Sequence, residues 1–200
     1  MHFTEKSVNL RPNQSKKTMA KGNSWKTRNR TNTSRGLEGR KIVKRELKTA
    51  PQFALDELYI SPFTLRKKFD EDGKWEYVAV ERNTKPTGIN VMDDYLGYLS
   101  AGRSDMRAFA DRHGLRTEEV AALVFILTGV KGVRFRQLYQ MRLADDLLRF
   151  TDLPFDEVAR RSGLGSPNNL YLTLRREYNM SASERRASLR LDGDLGLFRI

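Results

Sequence analysis

Two arginine pairs flank two adjacent asparagines and a tyrosine between positions 160 and 176. Guanidinium groups pair with phosphate oxygens, an asparagine amide pairs bidentately with adenine, and an aromatic ring contacts a thymine methyl group. For the arginines, the alternative is a solvated helix face or surface ion pairs. The candidate residues for contact with nucleic acid are Ser166, Pro167, Asn168, Asn169, Tyr171, Leu172, Arg175, Arg176, Arg160 and Arg161.

The first element that must position these side chains is a short helix predicted over about residues 154–162. Pro154 suits the first helical turn because its missing N–H needs no partner there. Thr151 or Asp152 is expected to cap this helix. Gly163 provides the positive φ that ends it.

A second helix is predicted to start immediately after this glycine turn. Ser166 is expected to cap it, with Pro167 at its first position. Leu170 and Leu174 form an apolar stripe, which leaves the polar candidate residues on other faces. Two short helices joined by a glycine turn form a helix-turn-helix, whose second helix is shaped to lie in a DNA major groove.

The same pattern occurs about fifty residues upstream. A helix capped by Ser104 is expected to end at Gly114, and one capped by Thr117 to end at Gly129. A helix also precedes this unit from Val91, and a long helix over residues 133–149 joins the two units. We therefore predict a mainly α fold with two helix-turn-helix units, the first over residues 105–129 and the second over residues 154–179.

The doubled motif resembles the DNA-binding domain of the AraC/XylS family of bacterial transcription regulators. The resemblance runs from about Phe109 to Arg186 within a predicted domain of residues 91–190. Its strongest part is DLPFDEVARRSGL followed by SPNNL and LRREYNMSASERR. The resemblance implies a protein that binds double-stranded DNA in the bacterial cytoplasm, associated with the nucleoid.

The first unit departs from the family at its recognition helix. Where the family usually presents polar or basic side chains, this chain has Glu118, Ala121, Ala122 and Phe125. One interpretation is a core helix with an apolar outer face. The other is a surface for a second protein or a second copy, formed by Glu118, Ala122, Phe125 and Ile126.

The second unit also departs from the family pattern. Its matched base-facing positions hold Pro167, Asn168, Tyr171 and Leu172, where arginine or glutamine is commoner in the family. Asn179 replaces a glycine, which is acceptable because asparagine tolerates the left-handed conformation. This recognition helix is therefore expected to hold DNA better than it discriminates sequence.

Residues 51–90 are predicted to contain a small β-hairpin and a linker. Alternating apolar residues indicate strands at about 62–69 and 74–81, with a tight turn at Asp72-Gly73. The hairpin could serve as scaffold, as an oligomer contact or as a wing beside DNA. Because this segment is too short for the effector-binding barrel of many family members, we expect no small-molecule ligand.

Basic residues dominate the first fifty positions. Of the net charge of +12, most resides here, with 14 Lys+Arg against 3 Asp+Glu. We predict a disordered basic arm in which Lys21, Trp25, Lys26, Arg28 and Arg30 add contacts to DNA. A solubilising tail is the alternative.

No motif in the sequence supports an enzymatic activity. The chain has no cysteine and two histidines, His2 and His113, too far apart in sequence to suggest a shared site. It carries no nucleotide-binding or metalloprotease signature, so no cofactor or metal is expected. Asp145 and Asp146 are adjacent on a predicted helix and are expected to be solvated surface residues. No apolar run approaches the ~18 residues of a membrane span.

Three functions remain open from the sequence. A non-enzymatic transcription regulator is the leading one. An architectural or accessory factor in recombination, mobilisation or replication would explain the few base-reading side chains. An adaptor would use the apolar first recognition helix for a protein partner. Whether the tail of residues 191–200 docks on its own domain or on another chain also stays open.

Overall fold

The computed structural model describes residues 50–81, 83 and 85–200. They belong to the compact unit Glu46–Ile200. The basic arm predicted over the first fifty residues, including its five proposed contacts, lies outside the described residues except for residue 50. Among the described helices, none is both long and apolar enough to cross a membrane.

The described part is mainly helical, as predicted. Its helices are α1 Leu55–Leu58, α2 Asn90–Ser100, α3 Met106–Arg112, α4 Thr117–Thr128, α5 Gly132–Phe150, α6 Phe155–Arg161, α7 Pro167–Tyr178 and α8 Ala182–Leu189; its strands are β1 Leu65–Phe69, β2 Trp75–Ala79 and β3 Phe198–Arg199. The two predicted helix-turn-helix units are α3–α4 and α6–α7, and α5 joins them. The predicted fold class is therefore confirmed.

Two hydrophobic cores are built on opposite ends of α5. Phe135, Tyr139 and Leu143 on its first part pack with α2, α3 and α4. Leu147 and Leu148 near its end pack with α6 and α7. All five side chains are buried, so one helix forms a wall of both cores and holds the two units together.

Two helix caps in the first unit differ from those expected. Asp105, not Ser104, caps α3 and accepts hydrogen bonds from the N–H groups of the next turn. The carbonyl of Ser104 instead accepts a bond from Arg136 at 2.9 Å, which holds it outside the helix. The cap position of α4 is occupied by Arg116 and not by Thr117. The backbone N–H of Arg116 donates to the Glu119 carboxylate at 2.9 Å.

The expected caps of α6 are also wrong. Pro154 occupies the cap position and offers no side-chain hydrogen bond. The hydroxyl of Thr151 donates to the Leu147 carbonyl at the end of α5, at 2.6 Å. Asp152 accepts a bond from Arg190 at 2.8 Å. Both candidate caps are therefore used by the preceding and following segments, and the acidic first turn of α6 compensates the helix dipole instead.

The predicted hairpin is present with shorter strands. β1 pairs antiparallel with β2, from Leu65 opposite Ala79 to Phe69 opposite Trp75. Gly73 adopts a φ of 74° in the turn, as its position predicts. The sequence did not indicate a third strand, but β3 pairs with the free edge of β1 to give the order β2-β1-β3.

The C-terminal tail thus docks on its own domain. Phe198 stacks on Phe63, with ring centroids 5.1 Å apart, and meets Phe150 edge-on at 4.7 Å. Asp194 pairs with Arg149 of α5 at 2.8 Å and accepts a bond from the Leu191 N–H at 2.9 Å. These contacts join the sheet to the end of α5.

Asp145 and Asp146 are not solvated surface residues. Their side chains are only 15% and 16% exposed. Asp145 accepts bonds from Arg185 at 2.7 Å and from Tyr178 at 2.9 Å, whereas Asp146 accepts one from Tyr59 at 2.8 Å. Burial raises the pKa of Asp146, although the Tyr59 hydrogen bond opposes this effect. The adjacent carboxylates point to different neighbours and anchor α8 and the segment after α1.

Candidate nucleic-acid interface

The outer face of α7 carries the exposed side chains of the second unit. Leu170 and Leu174 are fully buried and fix one side of the helix against the second core. The opposite side exposes Asn168, Tyr171, Leu172 and Arg175, which we call the α7 outer face. Tyr171 and Leu172 remain 43% and 54% exposed, although both are large and apolar.

The N-terminus of α7 follows the prediction closely. The Ser166 hydroxyl accepts a bond from the Asn169 N–H at 3.2 Å, and Pro167 occupies the first turn. The Asn169 side-chain amide donates to the Leu164 carbonyl at 3.0 Å, so part of its donor capacity is used locally. The exposed amide of Asn168 forms no hydrogen bond with another described residue and is available to a ligand.

Arg175 is held along the surface at the end of α7. Its Nη1 donates to the Asn179 carbonyl at 3.0 Å, and its guanidinium lies 5.6 Å from the centre of the Tyr171 ring. Asn179 ends the helix with a φ of 57°, the left-handed conformation expected of it. The hydrogen bond to the Tyr171 hydroxyl raises the pKa of Arg175. Its charge is thus held at the C-terminal end of the α7 outer face.

Arg176 shares a carboxylate with an arginine that the sequence did not single out. Arg134, on α5, binds both carboxylate oxygens of Glu177 at 2.9 Å, and Arg176 binds one of them at 3.0 Å. Hydrogen bonds from the two arginines lower the pKa of Glu177 to about 2. Glu177 therefore stays ionised near neutral pH and partly neutralises both cations.

Arg160 and Arg161 lie on α6 and both bind Glu157. The Arg160 Nε donates to this carboxylate at 2.8 Å, and hydrogen bonds from both arginines lower the pKa of Glu157 to about 2. Arg160 is 66% exposed, whereas Arg161 is half-buried. The surface ion pair that the sequence left open is therefore present, and of the two only Arg160 projects well into solvent.

A cleft of about 360 Å³ lies between α5 and α7. We call it the interunit cleft; its polar lining includes Ser104, Arg136, Gln137, Asn169, Thr173 and Arg176. Arg136 and Gln137 were not among the candidate residues. The only sequence signal for them is the basic run VRFRQ at the start of the linker helix, and their meeting with α7 depends on tertiary packing.

The outer face of α4 is apolar at its centre. Ala122 and Ile126 are exposed, the latter at 49%, and Phe125 is half-buried. Glu118 is exposed at the start of the helix, where its negative charge interacts favourably with the positive end of the helix dipole. Ala121 packs against the first core instead. The four residues proposed from sequence as a protein-interaction face therefore lie on one side of α4. Glu118, Ala122 and Ile126 are exposed, and Phe125 is partly covered.

Comparison with known proteins gives structural matches only. No protein-family model and no curated protein matches the chain. Among solved structures, it is similar to the DNA-binding domain of AdpA, a global transcriptional factor, in complex with a target DNA, at 27% identity and a TM-score of 0.43. That match covers 50% of this chain and 88% of the other.

Two other similar structures are C-terminal domains of response regulators. The domain of yesN from Fusobacterium nucleatum subsp. nucleatum matches at 14% identity and a TM-score of 0.43, over 48% of this chain and 94% of that one. The domain of AraT from Geobacillus stearothermophilus matches at 16% identity and a TM-score of 0.47, over 54% and 93%.

Proposed function

We propose that this chain is a non-enzymatic DNA-binding protein, acting as a transcription regulator through its second helix-turn-helix unit. In this proposal α7 lies in a major groove, with Asn168 and Tyr171 at base edges. Arg175 and Arg176 contact phosphates on the flanking backbone, and Ser166 contacts a phosphate at the helix N-terminus. The basic N-terminal arm adds affinity that does not depend on sequence.

The observation that carries the proposal is the composition of the α7 outer face. A surface helix of a stable domain has no structural need to expose Asn168, Tyr171 and Leu172 in one row beside a positioned arginine. An amide and apolar side chains are the groups that contact adenine edges and thymine methyl groups. The resemblance of the sequence to AraC/XylS regulators supports regulation of transcription as the purpose of the contact.

An accessory or architectural role is the second candidate. It is favoured by the geometry of Arg175, whose guanidinium is bound at the C-terminal end of α7 to the Asn179 carbonyl. No arginine lies on the first two turns of this helix, so a bidentate contact with guanine has no donor there. A protein of this kind would bind many sites weakly and depend on partners for specificity.

An adaptor role is favoured by the exposed apolar residues of α4. An adaptor would use Ala122 and Ile126 for a protein partner and would not need DNA. Reversing the charge of Arg175 and Arg176 together separates this role from the other two. A DNA-binding protein loses its affinity for duplexes, whereas an adaptor keeps its partner.

Selection from a pool of random DNA duplexes tests the proposal. The full chain is incubated with the pool at fixed salt, and bound duplexes are amplified and sequenced. A regulator is expected to enrich one short motif rich in A·T pairs. Retention of duplexes without a motif favours the accessory role, and failure to retain any duplex contradicts DNA binding. The double charge-reversal variant is the control for retention by the arm alone.

A further inference from the structure

The interunit cleft has a lining of hydrogen-bond donors. Arg136 and Gln137 reach it from α5, and Asn169 and Arg176 reach it from α7. No aspartate or glutamate of the described residues lines it. Guanidinium groups donate only, and they stay charged at any physiological pH. A cleft with this lining disfavours cations and suits an anion with several acceptor oxygens.

Arg136 is the cation of this cleft that pairs with no carboxylate of the described residues. Its Nη1 donates to the Ser104 carbonyl at 2.9 Å, but its Nε is buried and has no hydrogen-bond partner among the described residues. Arg176, by contrast, is bound to Glu177. Because the Nε atom is buried, only the charge and the terminal nitrogens of Arg136 can act on a ligand, and this charge is the one in the cleft that an anion could neutralise.

The cleft adjoins the proposed DNA contact. Leu172 belongs both to the α7 outer face and to the cleft lining. Ser104 and Arg136 come from the segment before α3 and from the first turns of α5, on the side of the first unit. In the proposed docking, a duplex lying along α7 carries its backbone past the cleft opening, where groups of the linker helix and of the second unit meet.

We infer that the interunit cleft binds one phosphate group of the DNA backbone. Arg136 and Arg176 supply the charge, and Gln137 and Asn169 supply further N–H donors. A phosphate diester presents only acceptor oxygens, which matches this lining. The source of the phosphate rests on the proposed function. Because the donors come from α5 and α7, the bound phosphate fixes the linker helix and the second unit on the same duplex.

The test compares Arg136→Gln with Arg142→Gln in the full chain. Both variants remove one charge from α5, but Arg142 lies outside the cleft, against Tyr59 and Asp146. Affinity for a fixed duplex is measured over a range of salt. Arg136→Gln is expected to lose about tenfold in affinity. Its salt slope, d log Kobs/d log[salt], is expected to fall by about 0.9, the loss of one phosphate contact.

Phosphate ethylation gives a readout that a general loss of charge does not produce. Ethylation at one backbone position should block binding of the wild type and of Arg142→Gln, but not of Arg136→Gln. Gln137→Glu is a second variant, because it leaves the bond between Arg136 and Ser104 intact and places a carboxylate in the cleft. It should reproduce the loss of affinity if Arg136→Gln does not fold.

Titration with inorganic phosphate separates the two sources of the anion. It is followed through the side-chain amide resonances of Gln137 and Asn169. If the wild type binds duplexes and the cleft variants match Arg142→Gln, the inference is overturned while the proposed function stands. If the wild type binds no duplex but phosphate shifts these resonances, the proposed function and the backbone assignment both fail, and the cleft takes free phosphate. Absence of both responses rejects the site altogether.

Discussion

The backbones of Gly102 and Gly163 meet where the two helix-turn-helix units touch. A Cβ atom on Gly163 would lie 3.0 Å from the Gly102 carbonyl oxygen, and both residues have positive φ, 72° and 77°. The side-chain amide of Gln140 donates to the Gly163 carbonyl at 2.6 Å from the buried side of α5. The turn of the second unit is therefore packed tightly against the loop that leads into the first.

Gly163→Ala is expected to destabilise the protein more than Gly114→Ala. Both glycines lie in the turn of a unit with positive φ, but a Cβ on Gly114 meets nothing within 4 Å. Gly114→Ala, the control, should lose about 1–2 kcal/mol of unfolding free energy from the strain of the left-handed backbone alone. Gly163→Ala should lose at least about 1 kcal/mol more, because the Gly102 carbonyl must also move. The midpoints of urea unfolding measure the difference, and equal losses would argue against a tight contact.

Glu177→Gln is expected to strengthen DNA binding. The substitution removes the carboxylate that binds Arg134 and Arg176, which frees Arg134 for one further phosphate and strengthens the phosphate contact proposed for Arg176. The affinity for a duplex should rise severalfold, and the salt slope should steepen by about 1. Glu118→Gln, which removes a carboxylate from the first unit, is the matched control. Tightening of the same size in the control would mean that only net charge matters.

The same carboxylate should contribute to acid sensitivity. Because the folded-state pKa of Glu177 lies near 2, below its ordinary value of 4.5, its stabilising effect is complete above about pH 5. It is lost as the pH falls towards 2. The stability of Glu177→Gln should therefore decline less than that of the wild type between these limits. The unfolding free energies of both proteins are measured by chemical denaturation at pH 5 and pH 3. Equal decreases in the two proteins would contradict the ion pair.

Phe198→Ala is expected to release the C-terminal strand from β1. Phe198 packs against Phe63 and Phe150, so its loss should cost about 2 kcal/mol, less than for a fully buried phenylalanine. The amides of Thr64 and Lys67 donate to carbonyls of the tail at 2.8 and 2.7 Å. Hydrogen exchange at these two amides should accelerate in Phe198→Ala. Leu195→Ala, at an exposed position, should leave them protected; slow exchange in both variants would contradict the docking of the tail.

Local signals in the sequence were sufficient to predict the turn and the recognition helix of the second unit. Ser166, Pro167 and Gly163 each have a conformational role that needs only neighbours in the chain, and the structure places all three as predicted. The predicted caps of α3 and α6 were wrong because other segments bind the candidate residues. Ser104 is displaced by a bond to Arg136 on a distant helix, and Thr151 closes α5 instead of opening α6.

Contacts between distant segments could not be predicted from patterns. Asp145 was expected in solvent because adjacent helix positions diverge, yet its partner Arg185 lies forty residues away in the chain. The two residues of β3 are too few for an alternating pattern. Arg136 belongs to a predicted linker helix, and only the packing of α5 against α7 brings it into the candidate site.

The salt dependence of duplex binding tests most directly whether α7 holds DNA. It is measured for the wild type, for Arg175→Ala with Arg176→Ala, and for Arg107→Ala with Arg112→Ala on α3, which removes the same charge from the first unit. If α7 holds DNA, the slope should be smaller by about 1.8 in the α7 variant and nearly that of the wild type in the α3 variant. Identical slopes and affinities in all three proteins, with binding lost only when residues 1–49 are removed, would contradict DNA binding through α7.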